Sequence, residues 1–236
     1  MDILIRLLLA HILGDFLLQT KKGVRDKMDK GIRSIYLYLH IFIHALLLAV
    51  IFQFNFEYWV GFVIIITSHY LIDIFKIKLT GKFNPRFLFF GDQLAHILVI
   101  ILISIGYGNF AINSLVIFDI KNLLMIAALV TVTSVSNIFI GTFISQWRPH
   151  DNEANSLPDA GKYIGMLERL FVFVFILANV WQAVGFLIAA KSVFRFGDLS
   201  KSQDRKLTEY ILIGTLLSFG TAILVALAYK YILKLL

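Results

Sequence analysis

Apolar residues run almost unbroken over 2–20, 34–53, 57–79, 87–107 and 121–145, separated by short polar segments. Runs of that length match the roughly 20 residues a helix needs to cross a bilayer. A further apolar segment begins near Lys162, and a last long helix is expected over 207–234. As one helix, 162–195 would be about 50 Å long at ~1.5 Å per residue, too long for a single crossing. The pattern therefore predicts a turn near Asn179–Gln182 and eight spans in preference to seven. The longest polar stretch, RPHDNEANSLPDAGK at 148–162, is too short to join separate domains. The expected fold is all-α: a polytopic transmembrane helical bundle of seven to eight spans, one integral-membrane domain over 1–236. Its front half is 1–107 and its back half 121–236.

Composition agrees with that pattern. The 236 residues are 59% hydrophobic and 16% charged, with a mean hydropathy of +0.82. A soluble domain carries about 25% charged residues. The net charge of +7 would suit nucleic acid, but the charges sit in a few short loops. Lys21, Lys22, Arg25, Lys27, Lys30 and Arg33 fill one, and Lys76, Lys78, Lys82 and Arg86 crowd another. The opposite loops, QFNFE and GNFAINSLVIFDIK, hold only Lys121. Cytoplasmic loops are enriched in Lys and Arg, so the expected topology puts these basic loops in the cytoplasm and the N-terminus outside. The basic segment with Lys191, Arg195, Lys201, Arg205 and Lys206 is expected on the same side. The expected partner is the lipid bilayer, not nucleic acid; oligomeric state is not specified. Absence of cysteine excludes disulfides and thiolate metal sites. The apolar N-terminal run carries Arg6, His11 and Asp15 and lacks a basic leader region, so it is expected to be a retained first helix.

Each of the first four spans contains an ionisable pair at i, i+4: His11/Asp15, His40/His44, His69/Asp73 and Asp92/His96. That spacing places both members on one helix face. Ionisable residues within a span are costly and turn inward. At about 1.5 Å per residue, Asp15, His40, Asp73 and Asp92 fall at one depth from the cytoplasmic ends. His11, His44, His69 and His96 fall one turn deeper. Helix direction alternates, and the order of each Asp and His reverses with it. HILGDFLLQTKKG (11–23) also aligns without gaps on HYLIDIFKIKLTG (69–81), so the first four helices are expected to form two tandem helical hairpins.

Imidazole and carboxylate together suit zinc, iron or manganese. Bundles hold such ions through inward-facing pairs on several helices. All eight residues are candidate ligands to a divalent metal, with zinc placed before iron and manganese. Gln19, Ser68 and Gln93 are candidates to orient the ligands. Asp15 and Asp92 are candidate general bases. The plainer alternative is a buried hydrogen-bond network or proton relay. Haem has no use for three aspartates beside its axial histidines. Arg169 is expected to snorkel to the headgroups beside Glu168, and Asn137, with Ser134 and Ser136, to bridge helices. His150 and Asp151 are expected in a solvated loop.

H-x3-D-F-x2-Q at His11–Gln19, H-x3-H at His40–His44, S-H-x3-D at Ser68–Asp73 and D-Q-x2-H at Asp92–His96 resemble an uncharacterised bacterial integral-membrane family, the domain of unknown function 3307 type. The back half, with GMLERL at 165–170, resembles the C-terminal part of longer members. The resemblance implies a bacterial inner-membrane setting and no defined activity. The cluster is also similar in style, though not in motif order, to membrane-embedded metal hydrolases, and the expected function is a metal-dependent hydrolase acting on a lipid or lipid-linked substrate at the cytoplasmic leaflet. A divalent-cation or proton transporter, and a structural or partner-binding protein with an inert polar core, are the alternatives.

Overall fold

The structure is a computed structural model that describes residues 1–108, 115–147, 160–202 and 205–236, with side chains for all of these except 194–202. His150 and Asp151, and the side chains of Arg195 and Lys201, lie outside the described residues. The described chain is helical, apart from an isolated bridge between Thr80 and Phe83. It divides into two compact units, 1–127 and 128–236.

The first unit is a ring of four helices. α1 (Asp2–Ile12) continues as a π-helical turn, Leu13–Leu18, and then stops. α3 (Ile35–Ile51), α4 (Trp59–Leu79) and α5 (Pro85–Tyr107) complete the ring. α1 packs on α3 and α5, and α4 packs on the same two. Each pair of ring helices consecutive in the chain is thus also adjacent in space, the arrangement of tandem hairpins. Local chemistry sets the ends. Asn84 caps α5 by accepting from Arg86 N at 3.0 Å, and Pro85 occupies the first turn, where its missing N–H costs nothing. Gly108 leaves α5 with φ +64°.

The segment 21–33 is not a simple loop. α2 (Lys21–Lys30) forms there, with the Thr20 hydroxyl accepting from Gly23 N at 3.1 Å. Gly31, at φ +57°, ends it. α2 meets the axis of the preceding helix at 89° and packs on α3.

The second unit contains α7 (Ser136–Ile144), α8 (Ala160–Leu177), α9 (Trp181–Ser202) and α10 (Arg205–Leu235). α6 (Ile120–Val130) runs through a second π turn, Thr131–Val135, into α7. The turn expected near Asn179–Gln182 lies between α8 and α9, where Asn179 adopts φ +60°. Its side-chain oxygen accepts from Lys230 Nζ at 2.5 Å. Arg169 does not snorkel. It is buried, and donates from Nε to Val132 O at 2.7 Å and from Nη1 to Ser218 Oγ at 3.1 Å. The π turn presents the Val132 carbonyl to Arg169.

Among the described residues, four helices are long and apolar enough to cross a membrane: Phe56–Leu79, Pro85–Tyr107, Ile120–Trp147 and Arg205–Leu235. The bent pair Asp2–Leu18 and Lys21–Arg33 raises the count to five if it is one broken span. By length and apolar character the described helices support four spans, or five with the bent pair, and do not support the expected seven to eight. The helices exist, but several fall short as spans. α3 has 17 residues, about 25 Å against a ~30 Å core. α8 carries Lys162, Glu168 and Arg169 within its 18 residues, and α9 carries Lys191, Arg195 and Asp198. Outward faces are apolar: Phe42, Leu46, Leu94, Leu98, Leu102 and Ile105 are all exposed, while His11, His44, His69, His96, Asp73, Asp92, Arg6 and Lys27 are buried. That inside-out distribution suits a lipid surround.

Candidate metal centre

The ring helices bring all eight ionisable residues to one place. His11, His40, His44, His69, Asp73, Asp92 and His96 are each at most 6% exposed, and the Asp15 side chain is 9% exposed. The four deeper histidines form a layer of neighbouring rings. Centroids lie 3.9 Å apart for His44 and His69, 4.1 Å for His69 and His96, and 5.0 Å for His11 and His96. His40 joins from one turn away, 4.6 Å from His44. Close approach of the first helix depends on Gly14, where a Cβ would collide with the His44 ring.

Asp15 is the centre of the cluster. Its Oδ1 lies 3.0 Å from His44 Nε2, 3.2 Å from His40 Nε2 and 3.5 Å from His69 Nε2. The His40 and His69 Nε2 atoms are 3.1 Å apart. Asp15 sits in the π turn Leu13–Leu18, a feature frequent at functional sites. It therefore meets three imidazoles at once, whereas Asp73 and Asp92 engage lysines and lie farther from their nearest histidine nitrogens, 3.8 Å from His40 and 3.9 Å from His96. These separations are those of atoms sharing one ion. Ligand atoms 2.0–2.1 Å from a tetrahedral zinc are about 3.3 Å from each other. Among the described residues, three groups have donor atoms that could hold a metal: His11, Asp15, His44 and His69; His40, His69 and Asp73; and Asp15, Asp92 and His96.

Gln93 links both sides. Its Nε2 donates to Asp15 Oδ2 at 3.0 Å and to Asp92 Oδ2 at 3.1 Å. Two carboxylate acceptors fix the amide orientation, so its Oε1 accepts from His11 Nε2 at 3.2 Å. That hydrogen bond occupies the His11 nitrogen, which makes His11 an orienting group in this arrangement. Gln19 Nε2 lies 3.2 Å from His40 Nε2. Ser68 lines the adjoining cavity but donates to Ile65 O on its own helix at 3.0 Å. The cavity, walled by Leu7, His44, Leu48, His69, His96 and Ile100, holds about one water molecule.

A family model described as protein of unknown function (DUF3307) matches residues 3–126. The chain belongs to this family. No curated protein and no solved structure matches the chain. The match covers just over half the sequence and nearly coincides with the first compact unit, 1–127, so every residue of the cluster lies in the DUF3307 region.

Two residues of that DUF3307 site escaped the sequence reading. Lys27 of α2 is 5% exposed and places Nζ 2.7 Å from Asp73 Oδ2. Lys76 of α4 places Nζ 2.7 Å from Asp92 Oδ2, with its side chain 23% exposed. Both fall in segments that charge alone assigns to basic loops. A helical reading of 21–30 holds the missing signal: Gly23, Val24, Lys27 and Met28 share the face away from Lys21, Lys22, Arg25 and Asp29, and none of the four is exposed. The three carboxylates thus meet two ammonium groups, leaving one excess negative charge if the imidazoles are neutral. In a low-dielectric interior an unbalanced charge is costly, and a bound cation or a protonated imidazole offsets it.

Proposed function

We propose that the chain is a divalent-metal-dependent hydrolase of the bacterial inner membrane, acting on a lipid or lipid-linked substrate at the cytoplasmic leaflet. The observation that carries this is the convergence of His40, His44 and His69 Nε2 on Asp15 Oδ1 at 3.0–3.5 Å. Asp15, His44 and His69, which share that convergence and also offer ligand atoms within 4.8 Å of one another, hold the ion, with His11 or His40 as the further ligand. Zinc suits the donor set best, and iron or manganese also accept it. The ion supplies Lewis acidity, polarising a phosphoryl or carbonyl oxygen and making water more acidic. Asp15 then serves as a ligand, and Asp92 is the carboxylate left with an oxygen free of donors.

Position supports the class of substrate. The cluster lies beneath α2, whose exposed Lys21, Lys22, Arg25 and Lys30 form a basic, interfacial surface suited to anionic headgroups. The same basic residues support a cytoplasmic side for this end and an outside N-terminus. The one-water cavity leaves no room for a whole substrate, so only a scissile group approaches the cluster. The 89° break after Leu18 favours a second reading, cation transport, because transporters build ion sites at interrupted helices.

The test begins with elemental analysis of protein purified without chelator, beside Asp15→Asn. Metal bound to wild type and lost from the variant supports the site. The metal-loaded protein is then incubated in vesicles with phospholipid and polyprenyl-phosphate substrates, and products are read by mass spectrometry. Turnover abolished by chelation supports the hydrolase. Flux of the metal into proteoliposomes without turnover would replace it with the transporter.

A further inference from the structure

His96 and Asp92 form a second acceptor pair beside Asp15. His96 Nδ1 lies 2.9 Å from the Asp92 backbone carbonyl. A carbonyl only accepts, so Nδ1 carries the proton and Nε2 presents a lone pair. That Nε2 is buried and has no hydrogen-bond partner among the described residues, and Asp92 Oδ1 is buried without one too. Buried polar atoms are almost always paired, and an unsatisfied one costs about 1–3 kcal/mol. Neither atom can satisfy the other, because both are acceptors. What satisfies them must be a cation or a donor. A ligand atom each from Asp15, Asp92 and His96 lies within 4.8 Å of the other two.

We infer that His96 Nε2, Asp92 Oδ1 and Asp15 form a second divalent-cation subsite, with the Asp15 carboxylate shared between two ions. The inference rests on the metal reading above. Asp15 offers Oδ1 to the imidazoles of His40, His44 and His69 and its other oxygen to the side where Gln93 and Asp92 lie. Gln93 fixes the two carboxylates relative to each other. Lys76 holds Asp92 by Oδ2 only, which leaves Oδ1 for the ion. Charge sets the order of filling. The first divalent ion reverses the site's single negative charge, so the second enters against repulsion and binds more weakly. Paired ions of this kind clamp the attacking and leaving oxygens of a displacement, and their positive charge suits a phosphate ester over a neutral ester.

Manganese titration followed by electron paramagnetic resonance tests this on the whole chain in detergent. His96→Asn is the informative variant, because its amide keeps a donor near the Nδ1 position and removes the Nε2 ligand. The expected result is two equivalents in wild type, the second at least tenfold weaker, with the spectrum broadened by coupling between ions. His96→Asn should retain one equivalent and an uncoupled six-line spectrum. One uncoupled equivalent in wild type overturns the second subsite and leaves the first standing. Two equivalents unchanged in His96→Asn also overturn it. No manganese in wild type, with none found for zinc or iron by elemental analysis, sinks both readings. If His96→Asn does not fold, the presence or absence of coupling in wild type decides alone.

Discussion

Lys27 Nζ lies 2.7 Å from Asp73 Oδ2, and both side chains are 7% exposed. The pair joins α2 to α4 across 46 residues of sequence. It fastens the most polar helix of the first unit onto the cluster and gives a buried carboxylate its counter-charge. An apolar substitution at Lys27 strands that carboxylate.

Lys27→Met is therefore expected to destabilise the protein by about 3–5 kcal/mol, the usual cost of breaking a buried pair from one side. Lys27→Met combined with Asp73→Leu should recover most of the loss, because removing both partners leaves no orphan. Reversible unfolding in mixed micelles measures both. Equal stability of the single variant and wild type would show that the pair contributes nothing.

Gly14 gives a sharper test of geometry. A methyl group there would occupy the space of His44 Cε1 and Nε2, atoms at the side of the ring nearest Asp15. Gly14→Ala should displace His44, cost about 1–3 kcal/mol as an overpacked site, and reduce bound metal. Helix content should be unchanged by circular dichroism. Full metal occupancy in Gly14→Ala would remove His44 from the ligand set.

Much of this arrangement was legible in the chain. The i, i+4 pairs and the reversal of their order between successive spans were enough to bring His11, His44, His69 and His96 into one layer, because helix rise and alternating direction are fixed geometry. Three features were not legible. The π turn that lifts Asp15 into the histidine layer carries no distinctive sequence signal. Lys27 looked solvated because the segment 21–33 reads as charge-rich, and its inward face emerges only when the segment is taken as a helix. The expected span count lacks support for another reason. Apolar character predicted helices well, but α3 is too short and α8 and α9 too charged to pass as spans.

Arg169 in the second unit makes a separate prediction. Its guanidinium bonds Val132 O, Thr133 O and Ser218 Oγ at 2.7, 3.3 and 3.1 Å. Lysine keeps the charge but offers one compact ammonium in place of a planar fork. Arg169→Lys should lose about two charged hydrogen bonds, a destabilisation of roughly 3 kcal/mol. Metal bound per folded molecule should not change, because every cluster residue lies in 1–127. Loss of metal from a folded Arg169→Lys protein would mean that the second unit supports the site.

Acidification should empty the centre. Imidazole and carboxylate bind metals in their deprotonated forms, so metal and protons compete for the same lone pairs. Affinity must fall as pH falls, and with several histidine nitrogens involved it should fall by more than tenfold per pH unit once they begin to titrate. The apo cluster answers differently. A first proton on one imidazole offsets its single excess negative charge, while each further proton adds an uncompensated buried charge, so the metal-free fold should weaken only as further imidazoles charge. Bound zinc measured after equilibration from pH 7.5 to 5, beside unfolding midpoints of metal-free protein over the same range, separates the two effects. Metal release with the fold preserved matches a proton-competed centre. A collapse of the metal-free fold over that range would mean that protonation disrupts the cluster itself. A pH-independent metal content would place the ion elsewhere than on these histidines.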